Sequence, residues 1–155
     1  MHTVDSCRIE KAYRHFGHDI TDEDHVINAG LGVAVKLDKK PSKFGNFIGY
    51  DSVQSKKTSG YDMRVMQFLL SNSELMLYHN EPLRNDGEIV GHLSSGTYSH
   101  TLGSAAGLGY VPCKPNESDE DILSHKYTVE VEGVKESCKV SLKPMYDPLN
   151  EKIRN

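Results

Sequence analysis

GHLSSGTYSHTLGSAAGLGYVP, residues 91–112, is the stretch from which the rest of the chain is best interpreted. Two apolar runs, 89–93 and 107–111, flank a segment rich in serine, threonine, glycine and alanine, which predicts two short strands joined by a bend. Small residues let backbone segments approach each other or a ligand closely, and hydroxyls cap the N–H groups of a bend. A tight β-corner and a phosphate-cradling loop both fit. The absence of GxxxxGK[ST] and GxGxxG favours the corner.

The chain after residue 58 has a steady β pattern. Asn85-Asp86-Gly87 carries the Asp-Gly pair that two-residue hairpin turns prefer, and a second hairpin is centred on Gly133. Six or seven short strands at spacings of about 8–12 residues predict a small closed barrel or a Greek-key sandwich. The predicted strands are 63–70, 75–78, 82–84, 88–93, 107–111, 127–131 and 138–142, with a polar loop at 114–124.

The first 57 residues predict only a few elements. Alternation predicts a strand at 7–12, Thr21 is the N-cap of a short helix, 29–37 is a buried strand, and 47–55 is a helix. An isolated pair of strands is marginal in water, so this part needs partners from the second half, another copy or a preceding region. The polar stretch 56–60 marks the boundary, which gives an incomplete first domain at 1–57 and a β domain at 58–155.

Composition excludes several classes of function. The net charge of −4, without a lysine- or arginine-rich run, offers nucleic acid no electrostatic footprint, and the apolar stretches are far shorter than the ~20 residues of a membrane span. Three cysteines, Cys7, Cys113 and Cys138, lack CxxC spacing. They indicate free thiols in a reducing compartment rather than a disulfide framework or zinc site.

Three blocks of the sequence resemble the aminomethyltransferase family. That family comprises the T-protein of the glycine cleavage system and the folate-binding C-terminal halves of dimethylglycine and sarcosine dehydrogenases. SSGTYSHTLGSAAGLGYVP at 94–112 is similar to its TSG…YVP signature. SCRIEKAY at 6–13 with GHDI at 17–20 resembles its LRLE segment, and NAGLG at 28–32 with VK at 35–36 and NFIG at 46–49 resembles a third segment. The blocks occur in the family's order, and the His100-Thr101-Leu102-Gly103 variant is closer to the dehydrogenase branch.

The resemblance implies a mainly β (α+β) fold, in which part of a folate-binding domain precedes a C-terminal antiparallel β-barrel. It also implies two folate contacts. Glu10 matches the glutamate that grips the pterin ring of tetrahydrofolate, since a carboxylate accepts two neighbouring N–H groups in a fork. Lys39 matches an arginine that contacts the folate tail, although lysine lacks that fork. The structural alternatives are a Glu10 paired with Arg8 or Lys11 and a solvated Lys39.

Other polar residues give weaker indications. His15, His18 and His25 lie among acidic residues, but HExxH and a Cys/His quartet are absent, so we expect no metal site. His100 is either an acid–base group or a histidine satisfied within a β-bend, and Arg64 is expected to be structural. Catalytic residues stay unknown, because no segment matches the N-terminal aspartate that the resemblance implies is essential.

Two functions from different classes remain open. The first is the C-terminal part of a tetrahydrofolate-dependent protein that transfers one-carbon units from glycine or N-methylglycine derivatives, with the isolated chain inactive. FAD would enter only through a fused or associated flavin domain. The second is a non-catalytic barrel for protein interaction or oligomerisation. The expected partners are folate, a missing N-terminal half, a partner subunit or another copy, in the bacterial cytoplasm or the mitochondrial matrix.

Overall fold

A closed antiparallel β-barrel is formed by the second half of the chain. The computed structural model describes residues 2–38 and 45–154, except for the Ile153 side chain. Six strands close the barrel within these described ranges, in the order β1-β4-β3-β2-β5-β6, which confirms the predicted barrel and excludes the sandwich. The strands are β1 Met63–Leu70, β2 Pro82–Asn85, β3 Glu88–Ser99, β4 Ser104–Pro112, β5 Tyr127–Val131 and β6 Val134–Ser141.

The hairpin turns follow the sequence signals. Asp86 and Gly87 both have positive φ, 50° and 90°, as the predicted two-residue turn between β2 and β3 requires. Glu132 and Gly133 repeat this arrangement between β5 and β6. These turns fix the strand register and therefore which side chains enter the core.

The barrel interior is filled by large apolar side chains, among them Phe68, Leu83, Leu93 and Val129, all 0% exposed. Part of the 91–112 stretch forms β4, which is buried along nearly its whole length and therefore needs small residues. A Cβ added to Gly107 would lie 2.8 Å from both Leu93 Cδ1 and Ser95 O. Glycine there lets β3 and β4 pack without a gap.

The predicted tight corner at 94–106 is wrong. β3 continues to Ser99 and pairs with β4, with a register shift between Leu93 and Ser95, and the chain reverses only at 100–103. The small residues are therefore used for close strand packing rather than for a bend. The predicted β6 at 138–142 begins earlier, and the 114–124 loop contains a short helix, α3 (Asp119–Ser124), capped by Ser118.

The predicted strand at 7–12 is also wrong, because helix α1 (His2–Glu10) occupies this region. Ile9 and Ala12, three residues apart, pack on Ala106 and Leu108 of β4. Within α1 the buried residues Ser6, Ile9 and Glu10 lie at spacings of three and four on one helical face, and this period outweighed the apparent alternation. Ala12 follows the helix with a φ of 51°.

Residues 13–38 are mostly turns. At 21–24 the Asp24 carboxylate accepts the Thr21 backbone N–H at 2.7 Å, which closes a local turn where a helix was predicted. The predicted buried strand at 29–37 contains a 3-10 helix, Gly32–Ala34, with Val33 87% exposed. Gly30, at φ 68°, takes the chain out of an extended path. The second α-helix, α2 (Tyr50–Ser59), lies three to four residues later than predicted.

Residues 75–78 are irregular rather than a strand, although Leu77 is 0% exposed. The chain ends with helix α4 (Glu151–Arg154). None of the helices in the described ranges is long and apolar enough to cross a membrane.

Candidate functional site

The Glu10 carboxylate is held by the hairpin between β3 and β4. Its Oε1 accepts hydrogen bonds from the Ser99 hydroxyl at 2.7 Å and from the Thr101 backbone N–H at 2.9 Å. Ser99 is 0% exposed, and its oxygen also accepts the Leu102 N–H at 3.1 Å. These two bonds end on Oε1, and a carboxylate has about four lone-pair sites, so the group keeps acceptor capacity for a ligand.

The position of this carboxylate follows from how α1 lies along β3. Ser95 and Ser99 are four residues apart and both buried, as the two-residue period of a strand requires for one face. Arg8 donates to the Ser95 hydroxyl at 2.9 Å, while Glu10 meets Ser99. The structural alternative was an ion pair of Glu10 with Arg8 or Lys11, but both cations have other partners. Arg8 pairs with two aspartates, and Lys11 donates to the Asp147 carbonyl at 2.6 Å.

The hydrogen bonds also set the charge of Glu10. Burial raises the pKa of Glu10, but the hydrogen bonds from Thr101 and Ser99 outweigh it, and the nearby His100 acts in the same direction as those bonds. The net pKa is therefore lower than its ordinary value, and the carboxylate is ionised at neutral pH. An ionised carboxylate accepts stronger hydrogen bonds than a neutral acid.

The backbone of Glu10 is fixed as firmly as its side chain. The buried Gln67 side chain donates to Ile9 O at 2.7 Å and accepts the Met145 N–H at 2.7 Å, which ties the end of α1 to both β1 and the C-terminal segment. Tyr146 N donates to Glu10 O at 3.3 Å. The carboxylate is therefore held in place before any ligand arrives.

A cavity of about 520 Å³ opens beside Glu10. Its walls come from α1, from the 76–78 segment and from the end of β3 with the following turn. Met76, Tyr78, Tyr98 and His100 line it together with the Glu10 carboxylate and several hydroxyl side chains. The rings of Tyr98 and His100 meet edge to face, with centroids 5.3 Å apart. The cavity therefore suits a flat ligand that has hydrogen-bond donors along one edge.

A second cavity of about 330 Å³ shares the Tyr78 and Gly96 wall and is lined by histidines, among them His15, His18 and His79. Asp19, 1% exposed, lies behind it; one oxygen accepts Arg8 at 2.6 Å and the His15 N–H at 2.8 Å, and the other accepts the Ser94 hydroxyl at 2.6 Å. This buried network is structural. Among the described residues, no group of three or more His, Cys, Asp or Glu is arranged to hold a metal ion.

The predicted site residues have different outcomes. Glu10 lines the larger cavity, whereas Lys39 lies outside the described residues. His100 shares the cavity with Glu10, and Arg64 pairs with Asp119 across the barrel end. Ser99 was not predicted as a partner of Glu10. Burial alternates at 93, 95, 97 and 99 in the structure, but three of these four positions are hydroxyl residues, so no apolar alternation in the sequence indicates it.

Comparisons with known proteins agree on one family. The family model described as glycine cleavage T-protein C-terminal barrel domain matches residues 64–147, more than half of the chain. The fold resembles the crystal structure of glycine cleavage system aminomethyltransferase T from Bartonella henselae, with a TM-score of 0.76 at 21% identity, over 93% of this chain and 38% of that one. This likeness shows the fold.

Relatives by sequence are longer proteins. An aminomethyltransferase of Synechocystis is 34% identical over 92% of this chain and 36% of its own length. The 4-methylaminobutanoate oxidase (formaldehyde-forming) of Paenarthrobacter nicotinovorans is 36% identical over 99% of this chain and 17% of its own length. Mouse mitochondrial sarcosine dehydrogenase is 27% identical over 97% of this chain and 16% of its own length. The chain thus spans between about a sixth and about a third of these relatives, and it belongs to the aminomethyltransferase family, of which it represents the C-terminal part.

Proposed function

We propose that this chain is the C-terminal part of a tetrahydrofolate-dependent protein that transfers one-carbon units derived from glycine or N-methylglycine compounds. The observation that carries the proposal is the Glu10 carboxylate, which is ionised, fixed by Ser99 and Thr101, and placed on the wall of an aromatic-lined cavity of about 520 Å³. In this role the chain supplies a binding wall, and the reacting groups belong to the rest of the site.

The residues fit the pterin end of a folate. That ring presents an amino group and a ring N–H side by side, and a fixed ionised carboxylate accepts such donors. The cavity adds flat side chains, Tyr78 and Tyr98, to a single carboxylate and so matches a planar, donor-edged ring. When bound, the folate supplies the nitrogen atoms that carry the one-carbon unit, and the residues of this chain bind and orient its ring.

Further parts of the proposal rest on the sequence. Lys39 is proposed to approach the carboxylates of the folate tail, as a weaker contact than that of Glu10, because lysine lacks the bidentate fork of arginine. FAD would belong to a flavin domain fused to or associated with this chain. Cys7, Cys113 and Cys138, all in the described part of the chain, are free thiols, which supports a reducing compartment such as the bacterial cytoplasm or the mitochondrial matrix.

Substitution of Glu10 by glutamine tests the proposal. Thr101 N–H is an obligatory donor, so the amide oxygen of the introduced glutamine must take the place of Oε1, and its NH₂ group then faces the donors of the ligand. A charge-assisted hydrogen bond contributes roughly 1.5–3 kcal/mol, so the affinity for folinic acid, an oxidation-stable reduced folate, should fall by about ten- to a hundredfold. Chemical-shift titration of the Thr101 amide measures both variants.

Two controls separate ligand binding from charge and stability. Glu88→Gln removes the same charge from an exposed residue at the far end of β3 and should leave the affinity unchanged. Lys39→Ala should reduce affinity by less than Glu10→Gln. Equal affinity of Glu10→Gln and the parent chain would remove the folate assignment. If Glu10→Gln binds more weakly but also loses as much unfolding free energy in the absence of ligand as it loses binding free energy, Glu10 has a structural role.

A second candidate function, an interaction or oligomerisation module, is favoured by one observation. Phe16, Val33 and Ile48 are 69%, 87% and 104% exposed in the turn-rich part that precedes the barrel. Such residues favour a surface that packs on another protein or copy. Sedimentation velocity across protein concentrations tests self-association, and a monomer at all concentrations would contradict the oligomerisation form of this candidate.

A further inference from the structure

The segment that carries Tyr78 is seated directly on β3 because residue 96 is a glycine. A Cβ added to Gly96 would lie 2.7 Å from Leu77 Cβ and 2.8 Å from Tyr78 N, closer than side-chain atoms pack. Leu77 is 0% exposed and joins the barrel core. The absence of a side chain at Gly96 therefore lets the irregular segment approach the strand, and Leu77 anchors it there.

Hydrogen bonds fix the path of the main chain from Tyr78 to Glu81. Tyr78 N donates to Glu81 Oε1 at 2.8 Å, Asn80 N donates to Leu93 O at 2.7 Å, and Leu93 N donates to Glu81 O at 2.9 Å. The main chain of Tyr78 is thus held through its own N–H and through the bonds of the residues that follow it. Its side chain, in contrast, is 64% exposed and lines the cavity that Glu10 also lines.

We propose that Tyr78 stacks on the planar ring whose edge Glu10 binds; this inference rests on the proposed function. A ring held by its edge leaves both flat faces to be covered, and a tyrosine side chain, with only two rotatable side-chain torsions, covers one of them at a low entropic cost. A single exposed tyrosine is ordinary on a protein surface. The pinned main chain and the cavity shared with an ionised carboxylate set Tyr78 apart from that ordinary case.

The chain contains no tryptophan, so Tyr78→Trp places a single fluorescent reporter at the proposed contact. Titration with folinic acid should quench its emission in a saturable way, because the pterin ring would lie against the indole. Tyr13→Trp is the matched control, since Tyr13 is similarly exposed, at 55%, but does not line this cavity. It corrects for light absorbed by the ligand and should show no saturable change.

The second measurement is the affinity of two Tyr78 variants for folinic acid. Tyr78→Phe keeps the ring and should retain the affinity of the parent, whereas Tyr78→Ala should weaken binding about tenfold, the size of effect seen when a stacking side chain is truncated. Circular dichroism verifies that Tyr78→Ala is folded. If it is not, the Tyr78→Trp titration decides alone.

The outcomes distinguish this inference from the proposed function. Saturable shifts of the Thr101 amide without quenching of Tyr78→Trp, or equal affinity of Tyr78→Ala and the parent, would overturn the stacking role and leave Glu10 in place. Quenching that persists with unchanged affinity when Glu10→Gln is added would support stacking and remove Glu10 from the site. Absence of saturable binding by both readouts would overturn both.

Discussion

Ser99 Oγ lies 2.7 Å from Glu10 Oε1, a contact between residues 89 positions apart in the sequence. It joins the last turn of α1 to the end of β3, and Thr101 N–H adds a second bond from the same hairpin. Since both donors favour the charged form of the carboxylate, this contact couples the charge of the candidate site to the packing of the helix on the barrel.

Ser99→Ala should raise the pKa of Glu10. In the folded chain this pKa is below its ordinary value of 4.5. Ionised Glu10 therefore stabilises the fold at pH values above 4.5, and this stabilisation is lost as the pH falls through the folded pKa. Loss of the serine bond should cost roughly 1.5–3 kcal/mol of unfolding free energy at pH 7, as for bonds to charged groups. The difference between the two proteins should shrink as pH falls through the lowered folded pKa of Glu10, because the carboxyl then becomes protonated. Carboxyl NMR titration and urea unfolding measure the two effects.

Ser104→Ala is the matched control, because Ser104 lies on the same hairpin as Ser99. Its hydroxyl donates to an uncharged group, the Leu70 carbonyl of β1, at 2.8 Å. It should reduce stability by a smaller amount, about 1 kcal/mol, with the same cost at every pH and with the pKa of Glu10 unchanged. An unchanged Glu10 pKa in Ser99→Ala would show that the hydroxyl does not act on the carboxylate.

Asp19→Asn should destabilise the chain by roughly 3 kcal/mol, in the range for breaking one partner of a buried ion pair. Asp19 has a fully buried carboxylate that accepts Arg8, the His15 N–H and the Ser94 hydroxyl. An asparagine NH₂ would face one of these donors. Urea unfolding followed by circular dichroism measures the loss.

Asp5→Asn provides the comparison for Asp19, since Asp5 pairs with the same Arg8 but is 37% exposed. Exposed pairs contribute at most about 1 kcal/mol, so the free energy of unfolding should barely change. Similar costs for the two substitutions would mean that the Asp19 pair is not the buried one that holds α1.

The barrel was predictable because its signals are local. β1 and β5 were placed at their observed bounds, since each is an apolar or alternating run followed by turn residues. The Asp86-Gly87 turn supplied its own backbone geometry. Such features depend on neighbouring residues, which the sequence contains directly.

The region before the barrel could not be predicted in this way. Whether 7–12 is a helix or a strand depends on the β4 surface that Ile9 covers, and the buried position of Leu77 depends on Gly96. Glu10 was found through resemblance, whereas its Ser99 and Thr101 partners depend on a hairpin about 90 residues away. Local propensity carries no information on contacts of this kind.

The purified chain should not transfer a one-carbon unit from a methylene donor to tetrahydrofolate. Resemblance implies an aspartate from a preceding region, and the carboxylates near the two cavities are otherwise used: Glu10 is bound by the hairpin, Asp5 is paired with Arg8, and Asp19 is sealed in its network. Acid–base help requires a group within reach of the proton and positioned with the other reacting groups. A coupled assay for methylenetetrahydrofolate measures turnover, with Glu10→Gln as the control for contaminating enzyme. Turnover that disappears in Glu10→Gln would contradict this prediction, because it would show that the chain itself, and not a contaminating enzyme, carries the activity.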